Sequence, residues 1–385
     1  MGALGNRLAR DAGKDLGFQG GGTCLKKCYI ETYRFSEDLD FTVVPGGPFR
    51  EEELAAIFRD VLAAIYENSG IIFTDQPPRF RTHPSGNYTE GRIYYRGPRG
   101  SPTPASLRLD LNSSERLARP TVDRPIAHGY PDSLPAPATV LCYSFEEVFA
   151  EKLRAMGERG RPRDLYDIVN LFRRDEAALD PRLVFEVLRE KCASKGVVAP
   201  TLATIEASPF RAELETEWAN MLGHQLPALP PFESIWGELP ALFAWLEGEL
   251  EKPILAPVSV REAIDSGWVL SPTVRTWGTS VPIEAIRFAA ANRLCIDLGY
   301  GGQTRLIEPY SFRKTSAGAI LLCAVKVLTR ETRTYRLDRI EAVRVTDRTF
   351  TPTYLIELGT LAPHSAPRLT RTRRAPASGA RRTRR

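Results

Sequence analysis

The chain has 385 residues, 43% of them hydrophobic, with 52 Lys and Arg against 47 Asp and Glu for a formal net charge of +5. That length exceeds one ordinary domain and that apolar fraction can furnish sizeable cores, so two globular units are expected. No run of 18 apolar residues and no signal-peptide pattern occur, which excludes a membrane-spanning or secreted chain of the usual kind and predicts a cytoplasmic protein with no membrane partner.

In chain order, the first informative stretch is "GGGTCLKKCYIETYRFSEDLDF", residues 20–41. Gly20, Gly21 and Gly22 leave backbone N–H groups unobstructed, and Thr23 opens a helix-like run whose start would attract phosphate. The stretch ends in a strand pattern. Side chains alternate across a strand, so Asp38 and Asp40 share one face while Leu39 and Phe41 point into a core. Two carboxylates held that close repel, and a divalent cation relieves them. Mg²⁺ takes one or two carboxylates together with substrate phosphates, so acids beside a glycine turn point to nucleotide chemistry. The alternative is a glycine turn and an exposed acidic strand end.

These residues also carry a family resemblance. Gly21-Gly22-Thr23, followed by Arg34-Phe35-Ser36-Glu37-Asp38-Leu39-Asp40-Phe41, resembles the opening signature of the AbiEii-type nucleotidyltransferase toxins, a branch of the DNA polymerase β-like nucleotidyltransferases. A second block, "SFEEVFAEKLRAMGERGRPRDLYDIVNLF" at 144–172, resembles the family's lysine followed by an Arg-Asp-x-x-Asp helix. The resemblance implies an α+β fold in which a mixed sheet is joined to a helical subdomain, and a helical lead-in longer than the 19 residues before Gly20. It also implies Mg²⁺ (or Mn²⁺) as cofactor and an NTP as substrate. The acceptor would be an RNA such as a tRNA 3′ end, or a protein, in a toxin–antitoxin or anti-phage setting with a cognate antitoxin. Asp38 and Asp40 would hold the metal. Gly21, Gly22, Thr23 and Ser36 would position the triphosphate, with Arg34 and Asp164 in secondary roles.

Between the two blocks, "REEELAAIFRDVLAAIYENSG" spaces Leu54, Ile57, Phe58, Val61, Leu62 and Ile65 for an amphipathic helix covering a sheet. "GIIFT", "RIYYRG" and "SLRLDLN" follow as β-prone runs. Asp110 lies on the polar face of the last of these. It is either the third metal carboxylate that the polymerase β-like resemblance implies or a simply exposed strand residue.

The second block reads as two helices. Phe145, Val148, Phe149, Leu153 and Met156 form an apolar face that leaves Lys152 on another side, where its ammonium could reach phosphate. The next helix starts near Pro162, with Asp164 and Asp167 at i and i+3 on one face and Leu165, Ile168 and Leu171 or Phe172 inward. Lys152 and Asp167 are catalytic candidates, Asp167 orienting the lysine or assisting the acceptor; the competing reading is a structural ion-pair network.

Residues 1–250 are thus expected to form the nucleotidyltransferase domain with its helical part, and 251–282 a linker. From 283 to about 350 a helix and a series of short strands predict a small barrel. Ile307-Glu308-Pro309-Tyr310 and Tyr335-Arg336-Leu337-Asp338-Arg339-Ile340 resemble a WYL domain, an Sm-like barrel that senses ligands or nucleic acid, with Ile320-Leu321-Leu322 in place of the tripeptide that gives the domain its name. Arg336 and Arg339 are the anion-binding candidates, although strand alternation places them on opposite faces unless a bulge or a strand end lies between them. Residues 351–385 read as a basic, disordered tail. The last 18 residues hold eight arginines and no acidic residue, which takes the formal charge of the rest from +5 to −3 and points to phosphate backbones or to no specific partner.

Six cysteines lacking any Cys-x-x-Cys pair and four separated histidines are read as reduced, packed or surface residues rather than metal ligands. The alternative function is a catalytically inactive regulator that binds a ligand or nucleic acid.

Overall fold

The computed structural model describes residues 16–18, 22–29, 34, 38–73, 75–97, 102–126, 139–174, 179–268 and 283–357. Gly21, Ser36 and the arginine-rich end of the chain lie outside them. Two sheets and a set of helices make up the fold. The first sheet has seven strands: β1 (Leu16–Phe18), β2 (Asp38–Val43), β3 (Arg79–Thr82), β4 (Tyr88–Tyr95), β5 (Ala105–Asn112), β6 (Val122–Pro125) and β7 (Thr139–Cys142). Their order is β3-β4-β5-β2-β1-β7-β6, mixed because β2 runs parallel to β5 and β1 to β7 while the other neighbours are antiparallel.

A short helix α1 (Gly22–Cys24) passes into a π-helical turn (Leu25–Tyr29), and α2 spans Glu51–Ser69. The spacing expected to make α2 amphipathic does so. Leu54 and Phe58 are fully buried, with Val61, Leu62 and Ile65 beside them, against Leu39, Phe41, Leu109 and Leu111 of the sheet. Gly70 ends the helix in the left-handed conformation, φ 68°, which its missing Cβ permits. "GIIFT" forms no strand of its own among the described residues; only Ile72 bridges to Arg96.

The helical part follows as α3 (Phe145–Arg159), α4 (Pro162–Phe172), α5 (Pro181–Ser194), α6 (Leu202–Glu206), α7 (Phe210–Leu222), α8 (Phe232–Trp236) and α9 (Leu239–Leu246). Ser144 caps α3 by accepting from the Glu147 N–H, and Pro162 occupies the first turn of α4. Lys191 of α5 is buried among Glu115 (3.1 Å), Glu147 (3.0 Å) and Glu151 (3.5 Å), with its ammonium 4.5 Å from the Tyr143 ring centre. Glu147 also accepts from the Ala118 and Arg119 N–H groups, so this ionic knot ties α3 and α5 to the loop after β5.

Beyond residue 282, α10 (Ile283–Ala291) precedes β8 (Leu294–Tyr300), β9 (Gln303–Lys314), β10 (Ile320–Lys326), β11 (Thr332–Arg336) and β12 (Ile340–Thr349), ordered β11-β10-β9-β8-β12 and antiparallel throughout. No ladder joins β11 to β12 among the described residues, so the expected closed barrel is here an open five-stranded sheet. The final strand-like run divides at a 3-10 turn, Leu337–Arg339. The described part of 251–282 lies along this sheet: Val258 is buried with Tyr310 and Phe350, and Ile264 bridges to Thr315. One hydrophobic cluster continues from the helices into α10 and β8–β11, and Glu238 accepts from both Arg173 and Arg293 across that junction.

Candidate active site

The strand β2 exposes one face to the site because its other face is core: Leu39 and Phe41 are each 2% exposed, whereas Asp38 and Asp40 alternate with them on the opposite side. The parallel register sets Asp38 across from Arg108 and Asp40 across from Asp110, so three carboxylates face one way. Asp110 is engaged on its own side, accepting from the Tyr88 hydroxyl at 2.5 Å and from Arg108 Nε at 3.2 Å. Burial raises the pKa of Asp40; Lys152 opposes that shift, Asp110 and Asp38 reinforce it, and Arg159 opposes it. The outcome is a carboxyl whose charge is under-compensated by the chain. A hard oxygen-donor set with excess negative charge fits a divalent cation such as Mg²⁺.

Opposite the strand stand α3 and α4, turned back on each other at Gly160. This glycine has φ 51°, and an added Cβ would come within 2.7 Å of the Phe210 ring. The tight reversal brings Lys152 Nζ to 2.9 Å from Asp167 Oδ2. Arg34 reaches the same carboxylate with two parallel donors, Nε to Oδ1 at 3.1 Å and Nη2 to Oδ2 at 2.8 Å, and its Nη1 donates to Gln225 Oε1 at 3.4 Å. Burial alone would raise the pKa of Asp167, but Arg34 and Lys152 outweigh it and hold the group at about 2. Arg159 makes a second forked pair with Asp164, at 2.8 and 2.9 Å.

The expected site residues therefore fall into two sets. Asp38, Asp40 and Asp110 share one face of the β2–β5 pair, Lys152 acts on Asp40 and pairs with Asp167, Arg34 holds Asp167, and Asp164 joins through Arg159. Gly21 and Ser36 lie outside the described residues, and Gly22 begins α1. Thr23 differs from its expected part as a phosphate donor: its hydroxyl donates to the Asp38 carbonyl at 2.8 Å. A hydroxyl has one proton, so this side chain ties α1 to β2 and has none left to donate to a phosphate. Arg336 and Arg339 are both exposed, the first at an end of the second sheet and the second in the turn between β11 and β12. Arg336 ends β11 and pairs with Asp338 at 2.8 Å, and Arg339 ends the 3-10 turn that follows.

Sequence reasoning missed Arg159, Tyr88 and Arg108. Arg159 had a signal: it follows Lys152 by seven residues, two helical turns, and so shares its face. Tyr88 and Arg108 act through pairing with their neighbours, which no local pattern announces. The cysteines are reduced and buried, as read from the sequence, but three of them also gather in a way their spacing did not announce. Cys24, Cys28 and Cys142, separated in sequence, bring their sulfur atoms within 4.8 Å of one another.

A comparison with curated proteins finds no match. Among solved structures, the nucleotidyltransferase toxin MenT4 from Mycobacterium tuberculosis is similar at a TM-score of 0.45 and 19% identity, over 65% of this chain and 82% of that one. The sequence model described as "Nucleotidyl transferase AbiEii toxin, Type IV TA system" matches residues 9–247, more than half the chain and the whole of the site just described. On that match the chain belongs to the AbiEii family of nucleotidyltransferase toxins of type IV toxin–antitoxin systems.

Proposed function

We propose that the chain transfers a nucleoside monophosphate from an NTP to an RNA acceptor such as a tRNA 3′ end. An acceptor oxygen attacks the α-phosphorus, the bond to the β-phosphate breaks, and pyrophosphate leaves. The observation that carries this reading is the acidic face of Asp38, Asp40 and Asp110 set against the cations Lys152 and Arg159. Mg²⁺ (or Mn²⁺) held by Asp38 and Asp40, with Asp110 beside them, would neutralise charge on the phosphates during in-line displacement. Lys152 supplies positive charge to phosphate oxygens, and Asp167 fixes its ammonium at 2.9 Å while Arg34 anchors Asp167. Membership of a type IV system brings with it a cognate antitoxin as partner.

In the same reading the C-terminal unit is a WYL-like sensing module, and the basic end of the chain assists attachment to nucleic acid. Supporting it are a helix followed by five antiparallel strands and a buried Glu308 that pairs with Tyr310 and Arg330. At the junction with α9, a cavity of about 220 Å³ is lined by Arg173, Arg174, Lys252 and Arg293 with Glu238. Among the described residues Arg173 Nε and Nη1 have no hydrogen-bond partner, a cost that an anionic ligand would relieve.

Incubation with each labelled NTP, Mg²⁺ and total tRNA tests the reaction. Label on RNA that disappears in Asp40→Asn is the expected result. Label on protein instead moves the acceptor. No transfer to either, from any NTP, overturns the enzyme reading in favour of a binding regulator.

A further inference from the structure

Three thiols meet behind the sheet, outside the reaction described above. Cys24 lies in α1 and Cys28 one turn later in the π-helical continuation, while Cys142 ends β7; they are 0%, 6% and 0% exposed. The three sulfurs stand within 4.8 Å of one another. Around them the remaining polar contacts are few. Cys142 Sγ donates weakly to the Val140 carbonyl at 3.6 Å, and Arg124 Nε donates to the Cys28 carbonyl at 3.1 Å with its guanidinium 4.7 Å from the Tyr29 ring centre. Arg124 and Lys27 bring positive charge to Cys28, and Arg124 does so to Cys142. No carboxylate or imidazole among the described residues joins the cluster.

We propose that Cys24, Cys28 and Cys142 form a trithiolate site for one thiophilic d10 metal ion, Cu(I) or Zn(II). Soft sulfur donors select such ions and reject Mg²⁺, so this site is chemically distinct from the carboxylate face of β2. With a metal–sulfur bond of about 2.3 Å, three sulfurs around one ion stand about 4 Å apart, a separation the cluster accommodates. Binding follows M + 3 RSH → M(SR)₃ + 3 H⁺, each thiol giving up one proton. The complex carries two negative charges with Cu(I) and one with Zn(II), which Arg124 and Lys27 offset. Three sulfurs complete a trigonal Cu(I) site, whereas Zn(II) calls for a fourth donor. The ion would join α1 to β7, and Thr23, adjacent to Cys24, holds the Asp38 carbonyl; metal loading would therefore stiffen the strand that bears the site carboxylates.

The test uses the full chain, purified reduced and without oxygen, equilibrated separately with Zn(II) and with Cu(I) against a competing chelator. The expected result is one ion retained per chain, lost in Cys28→Ser and Cys142→Ser and kept in Cys192→Ser and Cys323→Ser, with circular dichroism confirming that each variant is folded. Should the cluster variants unfold, X-ray absorption on the loaded wild-type protein decides: a first shell of three sulfurs upholds the site, and one dominated by nitrogen or oxygen overturns it. Retention of well under one ion of either metal, or retention unchanged in a folded Cys142→Ser, also overturns it.

Discussion

Lys152 Nζ and Asp167 Oδ2 meet at 2.9 Å across the α3–α4 reversal, and the same carboxylate is gripped from the other side by Arg34. One anion thus serves two cations in a buried setting. Removing its charge takes this counter-ion from both. Asp167→Asn is expected to cost about 3 kcal/mol or more, because losing a counter-ion is far more expensive for a buried charge than for an exposed one. Lys152→Ala should reduce turnover strongly, and adding Asp167→Ala should cost less than the product of the two single effects, as for groups acting as a unit. Single-turnover transfer rates for the three variants check this, and fully multiplicative losses would separate the two roles.

The same carboxylate sets an acid limit on stability. Its folded pKa near 2 lies below the ordinary 3.8, since the pull of Arg34 and Lys152 exceeds the opposing effect of burial. A depressed carboxyl pKa stabilises the fold above the unfolded value, and that contribution disappears as pH falls through the folded one. Urea unfolding at steps between about pH 5 and pH 2 should show a loss of stability below about pH 4 that is smaller in Asp167→Asn. Parallel pH curves for the two proteins would contradict the assignment.

Asp40 has the opposite sign. Its folded pKa is raised, with burial the main cause, so its ionised form destabilises the metal-free fold at neutral pH and the penalty is relieved as pH falls toward the unfolded value. Asp40→Asn should abolish metal-dependent transfer while leaving the melting temperature equal or higher at neutral pH, an advantage that vanishes in acid. Asp38→Asn should likewise abolish transfer, again with a melting temperature equal or higher. Calorimetry without metal at two pH values, alongside the labelled-NTP assay, measures both halves; transfer that survives both substitutions would remove this metal site.

Lys191 is the buried ammonium shared by Glu115, Glu147 and Glu151, with Lys195 also pairing with Glu115 and Arg154 with Glu151. Lys191→Met fills the space but leaves Glu115, Glu147 and Glu151 facing one another in a buried pocket. A loss of about 3–5 kcal/mol in urea-determined stability is expected. A change within experimental error would mean that the carboxylates take up protons or water at little cost.

Deletion of residues 366–385 should flatten the dependence of log affinity on log salt for RNA, by about 0.7 for each single-strand phosphate that is no longer neutralised. Arg336→Ala should weaken the same binding with thermal stability nearly unchanged, because its pair with Asp338 is solvent-exposed. Identical slopes and affinities for all three proteins, measured by fluorescence anisotropy, would leave the C-terminal unit without a part in nucleic-acid attachment.

The sequence by itself determined the elements whose patterns are local. The alternation of Asp38-Leu39-Asp40-Phe41 announced β2 and its acidic face, the apolar spacing from Leu54 to Ile65 announced α2, and Pro162 marked the start of α4, because period and capping are properties of neighbouring residues. It also paired Lys152 with Asp167 through the resemblance. Only the tertiary structure decided what depends on distant neighbours. The parallel register of β2 and β5 sets Asp110 beside Asp40, the turn at Gly160 closes Arg159 onto Asp164, and the packing of α1 on β7 gathers three cysteines that lie up to 118 positions apart in the chain. Thr23 shows the same division within one residue. Its place after the glycines is written in the sequence, but the partner of its single proton was open until the fold placed the Asp38 carbonyl 2.8 Å away.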